Sequence, residues 1–198
     1  EQVTALGRRA LAVEADLSDP EVVPMLFDRA EAELGPVDIV VNNASGWVGD
    51  TFRPTGLDGL GRDVAPLGAT SFDTVFAVDA RAAALMIAEF ARRLSARNGS
   101  WGRIVGLTSG GAAGFPGEVS YGAAKAAQEN VTMSAATELA DLGVTANIVY
   151  PPVTDTGWVT DAVRGFVEGS AEHTHVATPD EVAEVVAWLC SDAARLVN

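Results

Sequence analysis

The sequence predicts an α/β fold, a parallel sheet with helices on both faces. Two observations carry this. Short, nearly unbroken apolar runs recur at Arg9–Asp16, Val37–Ala44, Arg103–Ser109 and Val144–Tyr150, the pattern of strands buried on both faces. Between them lie longer stretches of helical periodicity introduced by capping residues, as in parallel strand–helix–strand units. With 198 residues and 48% hydrophobic content, residues 1–198 form one domain with a sizeable core.

Taken in order, Arg9–Asp16 reads as a strand ending at an acidic turn. Ser18-Asp-Pro-Glu21 reads as a capping box opening a helix with apolar Val22, Met25, Leu26 and Leu34, although Pro24 would push its start later. Val37–Ala44 is the next strand. The stretch from Gly46 to Ala69, rich in Gly, Pro and Asp and carrying Trp47 and Phe52, is either a lid or substrate-facing insertion, or a surface loop without a role. Thr70-Ser-Phe-Asp73 can cap a helix whose residues Phe76, Ala80, Ala83, Ala84 and Ile87 form either a core face or an oligomer face. The strand Arg103–Ser109 leads to a helix running from Tyr121 to about Leu142. The strand Val144–Tyr150 is stopped by Pro151-Pro152. Gly157–Val176, with Trp158, Val163 and Phe166, suits a flap over an apolar substrate. Thr178-Pro-Asp-Glu181 caps a last helix bearing Val182, Val185, Val186 and Leu189.

The acidic balance, 27 Asp and Glu against 13 Lys and Arg, disfavours nucleic acid and anionic membrane as partners. No run has the length and polarity of a spanning helix. Cys190 excludes an intrachain disulfide and reads as a small buried hydrophobe. His173 and His175 lack an acidic ligand at zinc-like spacing, so no metal is expected. Cytoplasm is the default location.

The chemistry concentrates between Ser109 and Lys125. Tyr121 and Lys125 stand four apart on a helix, so the ammonium can lie beside the phenol and draw its pKa down. Lys125 is the only lysine in the chain, against twelve arginines, at a position where a compact point charge of adjustable pKa serves and a broad guanidinium does not. Ser109 ends a strand, and the carboxyl edge of a parallel sheet is where ligands bind. A carbonyl oxygen there can accept from both hydroxyls, with Tyr121 giving a proton as hydride reaches carbon. The cluster suits interconversion of a ketone and a secondary alcohol.

At these residues the chain resembles the classical short-chain dehydrogenase/reductase family. Ala15-Asp16-Leu17 resembles its aspartate after the third strand, Asn42-Asn43-Ala44-Ser45 its N-N-A-G element, and Pro151–Thr156 its P-G-x-x-x-T segment. The resemblance implies a Rossmann-like sheet, NAD or NADP as cofactor, a small carbonyl or alcohol substrate and a homo-oligomer. It implies a catalytic set of Ser109, Tyr121, Lys125 and Asp79. Cofactor contacts would come from Asp16, Leu17, Asn42, Ala44, Tyr121, Lys125, Pro151, Thr154 and Thr156, with Lys125 holding the nicotinamide ribose. Ser45 and Pro152 replace glycines, and Asp79 stands where the family has an Asn that holds a water near the lysine. A carboxylate there would hold the lysine's charge and weaken it as a proton donor. The family's T-G-x-x-x-G-x-G turn, first two strands and last strand are not in these 198 residues, which leaves Arg9–Asp16 without a neighbour. The chain is therefore expected to be part of a longer protein. The alternative is a non-catalytic binding or oligomerisation module of the same fold. Enoyl reduction is disfavoured by the spacing of Tyr and Lys.

Overall fold

The computed structural model describes residues 2–54, 56–58, 61–109, 114–171 and 173–198. Residues 110–113, inside the Ser109–Lys125 stretch, lie outside that description. After a single turn, α1 (Gln2–Ala5), the chain runs extended through residues 8–16. The strand predicted there is absent. Ladder hydrogen bonds need a partner, and no described residue pairs with this segment.

Helix α2 spans Val22–Leu34 and buries Val23 and Phe27. Its predicted capping box does not form. Glu21 is the N-cap and makes no side-chain cap; the Asp16 and Asp19 carboxylates instead accept from the Ser18 and Glu21 backbone N–H groups. Pro24 is tolerated because an N–H in the first turn has no intrahelical acceptor. Arg9 reaches back to the last carbonyls of α2, donating to Glu33 O at 2.7 Å and Leu34 O at 2.8 Å.

Strand β1 (Ile39–Asn42) pairs in parallel with β4 (Gly102–Leu107), and β4 with β5 (Val144–Val149), in the order β1-β4-β5. β4 is buried throughout. Two glycines allow this, since a Cβ on Gly102 would lie 2.6 Å from the Phe90 ring and one on Gly106 2.7 Å from Ile148. Between β1 and β4 come a two-stranded parallel ribbon, β2 (Asp50–Thr51) with β3 (Ala65–Pro66), then α3 (Ala69–Val75), a π-helical stretch (Phe76–Ala82) and α4 (Ala83–Ala96). Helix α3 starts one residue before the predicted Thr70, with Gly68 as N-cap and Ser71 Oγ accepting from its N–H.

Helix α5 (Val119–Glu138) joins β4 to β5 and ends in a 3₁₀ turn over Ala140–Leu142. α6 (Asp161–Glu168) and α7 (Pro179–Leu189) follow, and the Thr178–Glu181 capping box forms as predicted.

The core lies on two faces of the sheet. Val23 and Phe27 of α2, Ile87, Phe90 and Leu94 of α4 and Ala135 of α5 pack on Val40, Ile104, Val144 and Ala146. On the other face Val182, Val186, Leu189 and Cys190 cover Val105 and Leu107, and burial pushes the Cys190 thiol up. β1 was predicted to be covered on both faces. Ile39 and Val41 instead remain 40% and 42% exposed. Their register places them beside Arg103 and Val105, and Val41 lines a cavity together with Val182 and Val186 of α7. Ala80 and Ala83, candidates for a core or an oligomer face, are buried inside the chain.

Candidate active site

The site is built where β1 and β4 end. Beyond Leu107, Thr108 donates its backbone N–H to Val149 O and its hydroxyl to Lys125 O, so the strand end is tied to α5. Ser109 follows, and it shares a cavity wall with Tyr121. Phe115 packs edge-on against the Tyr121 ring, centroids 5.8 Å apart. The first turn of α5 is fixed by Asp50, which is fully buried. Asp50 Oδ1 accepts from Ser120 N at 2.9 Å, and Oδ2 from the hydroxyls of Ser120 and, at 2.7 Å, Ser71. Burial raises the Asp50 carboxyl's pKa, but these bonds outweigh it and hold it below its ordinary value.

Lys125 sits one turn after Tyr121, its Nζ 5.6 Å from the phenol ring centroid. The side chain is 3% exposed. Its ammonium donates to Leu107 O at 3.0 Å and Gln128 Oε1 at 3.1 Å, and Asp79 Oδ1 lies 2.9 Å away. Asp79 is fully buried; its other oxygen accepts from Gly46 N at 2.7 Å. The π-helical stretch presents Asp79 here, and Gly46 lets the β1 exit pass close to it, since a Cβ would meet Val78 and the Thr74 carbonyl at 3.0–3.2 Å.

This geometry corrects one expectation. Lysine was expected to draw the Tyr121 pKa down. It is raised instead, chiefly by burial, with the nearby Ser109 hydroxyl opposing and the charges of Asp79 and Glu118 adding. The Lys125 charge is matched by Asp79, so little of its field remains for the phenol. Three acceptors already surround the ammonium, and a ribose hydroxyl would have to displace one of them.

Two cavities meet at Tyr121 and Ser45. The first, about 480 Å³, opens between the ends of β1 and β4 and the residues after β5. Of the residues expected to hold cofactor, Lys125, Pro151, Thr154 and Thr156 line it, together with Asn43 and, from α7, Val182 and Val186. The second, about 430 Å³, lies on the other side of Tyr121, between Ser109, Trp47, Trp158, Arg62 and Glu118. The segment from Gly46 to Ala69 thus faces a cavity through Trp47 and Arg62. Trp158 is held there by its indole N–H donating to Thr154 O at 2.9 Å.

Four predicted cofactor residues do not line either cavity. Asn42 turns inward, its amide donating to Ala83 O at 3.3 Å, and the exposed Ala44 lies between the lining residues Asn43 and Ser45. Asp16 and Leu17 lie away from both, their turn held by Arg81, which donates to Ser18 O. Side chains of a turn that leaves a strand alternate in direction, which moves the contact by one residue from Asn42 and Ala44. Gln128 was missed, although its place one turn after Lys125 on the same helix was a usable signal. His175 pairs with Glu181 Oε1 at 2.9 Å, an acidic neighbour that the spacing did not suggest.

A family model described as "Enoyl-(Acyl carrier protein) reductase" matches residues 1–198. The chain is 35% identical over its whole length to an uncharacterized oxidoreductase of Bacillus subtilis, covering 74% of it. It is 36% identical over 96% of its length to cis-4-hydroxycyclohexanecarboxylate dehydrogenase of Sinomonas cyclohexanicum, covering 73% of that protein. Among solved structures, a short-chain dehydrogenase of Burkholderia cenocepacia in complex with NADP superposes on the whole chain with a TM-score of 0.82 and 32% identity, 76% of it covered. The fold and these likenesses define an oxidoreductase of α/β type. The chain belongs to the short-chain dehydrogenase/reductase family.

Proposed function

We propose that the protein is an NAD(P)-dependent oxidoreductase that interconverts a ketone and a secondary alcohol. The observation that carries this is the position of Tyr121 at the junction of two cavities, with Ser109 on the wall of the second. The nicotinamide end of the cofactor fits the first. Thr154 and Thr156 offer polar groups to a carboxamide or phosphate, Val182 and Val186 an apolar wall to a ring face, and the Burkholderia relative's NADP complex supports the assignment. A bound reduced nicotinamide supplies hydride. The carbonyl in the second cavity accepts a hydrogen bond from Ser109, which orients it, and one from Tyr121, which gives up its proton as the oxygen becomes an alkoxide. Reversal has Tyr121 take the alcohol proton. A phenol held protonated by burial suits the reductive direction near neutral pH. Asp79 acts through Lys125 as a positioning residue.

A non-catalytic module is the second reading, favoured by the engagement of Lys125 with Asp79 and by Asp16 and Leu17 not lining either cavity. Titration of NADH and NADPH, followed by nicotinamide fluorescence, together with turnover of a ketone panel separates the two. Binding by the parent and by Tyr121→Phe, with turnover lowered about a thousandfold in the variant, is expected. Ketone turnover unchanged in Tyr121→Phe overturns the assignment, and absence of both binding and turnover favours the module.

A further inference from the structure

The second cavity has a charge pattern that the general reaction does not require. Among the described residues Arg62 is the one cation on its wall. Its guanidinium is already used: Nε donates to Asp58 Oδ2 at 2.6 Å and an Nη to Glu118 Oε1 at 2.7 Å. The Asp58 side chain is 2% exposed and that of Glu118 18%. One positive charge therefore faces two negative ones, and the group as a whole is acidic. Arg62 is also held in place by the turn itself, where Asp58 Oδ1 accepts from Arg62 N at 2.8 Å, and by the Trp47 ring 5.6 Å from its guanidinium carbon. The wall carries a second indole, Trp158. The Nε and one Nη of Arg62 are turned to carboxylates of the protein itself.

We propose that this cavity selects neutral ketones carrying an aromatic or alicyclic ring, and rejects those whose ring carries an anionic group. The two indoles supply flat apolar surface for the ring. The Arg62–Asp58–Glu118 group supplies the discrimination, because a substrate carboxylate meets two carboxylates for one guanidinium, two of whose nitrogens already serve them. The inference rests on the reductase reading for turnover but not for binding.

The test uses 4-acetylbenzamide and 4-acetylbenzoate, which have the same shape and differ by one charge. For the parent, kcat/KM with NADPH should favour the amide by about tenfold or more, and Glu118→Gln should reduce that ratio to about threefold. Tryptophan-fluorescence quenching by each ligand, without turnover, should give Kd values in the same order. Equal or better use of the benzoate by the parent overturns the proposal while leaving the reductase reading intact. Quenching in the expected order without reduction of either compound supports the pocket and overturns the reductase reading. No quenching by either at millimolar concentration overturns the pocket, as does a ratio unmoved by Glu118→Gln.

Discussion

The single lysine of this protein does not stand free beside the phenol. Its ammonium is enclosed by a carbonyl, an amide and the buried carboxylate of Asp79. Two nearby acids, Asp79 and Glu118, add to burial in keeping Tyr121 protonated. Oxidation of an alcohol needs the phenolate, so its kcat/KM should climb with pH toward the raised Tyr121 pKa. Asp79→Asn removes one of the acidic charges, and the climb should move to lower pH. An unmoved profile would show that Asp79 and Tyr121 are not coupled. The local part of this site was legible in the sequence. Tyr121 and Lys125 share one helical turn, and Ser109 ends an apolar strand. The rest was not, because Arg62 meets Glu118 across 56 residues and Gln128 donates to Asn42 O across 86. No spacing rule reaches such contacts.

At the scale of elements, the insertion between β1 and α3 is bound to the reaction centre through one buried side chain. Asp50, in β2, satisfies the first turn of α5 and the start of α3 together. Asp50→Ala would leave the Ser120 N–H and hydroxyl without their acceptor, while Ser71 keeps Gly68 O, and a loss of about 2–4 kcal/mol is expected in urea unfolding. A conservative Asp50→Asn should lose less, since an amide oxygen can still accept. At the far end of α5, Gly143 takes a left-handed conformation, φ 68°, and a Cβ there would lie 2.2 Å from the Ser100 carbonyl. Gly143→Ala should lower Tm by several degrees, measured by circular dichroism, for both reasons. Helix caps illustrate why element boundaries were only partly readable. Thr178 and Glu181 form their box, whereas the similar Ser18–Glu21 pattern is drawn into turns by Asp16 and Asp19, whose carboxylates take the N–H groups first.

For the molecule as a whole, the parallel sheet and its two layers of helices were evident from the apolar runs, but the open face of β1 was not, since composition does not tell how far α7 extends. The sheet's α2 side is fastened by charge as well as packing. Arg93 of α4 pairs with Asp28 and Glu31 of α2 and with Glu89, each at 2.6 Å. Hydrogen bonds from Arg92, and then Arg93, hold the Glu89 carboxyl down at about 2, from an ordinary 4.5, against burial. A carboxyl depressed in the folded state stabilises above its unfolded pKa and loses that contribution as pH falls through the folded one. Stability should therefore decline between about pH 4.5 and 2, and Glu89→Gln should cost about 1 kcal/mol at pH 7 and almost nothing at pH 2, read from urea midpoints. The π-helical stretch has a different kind of reach. Such a stretch is an α-helix holding surplus residues, so the helix before it and the helix after it are out of phase. Removing one residue from Phe76–Ala82 would tighten the coil and turn α3, with the ribbon fastened to it, by about 100° relative to α4. The protein can thus exchange side chains in this stretch far more readily than it can change its length.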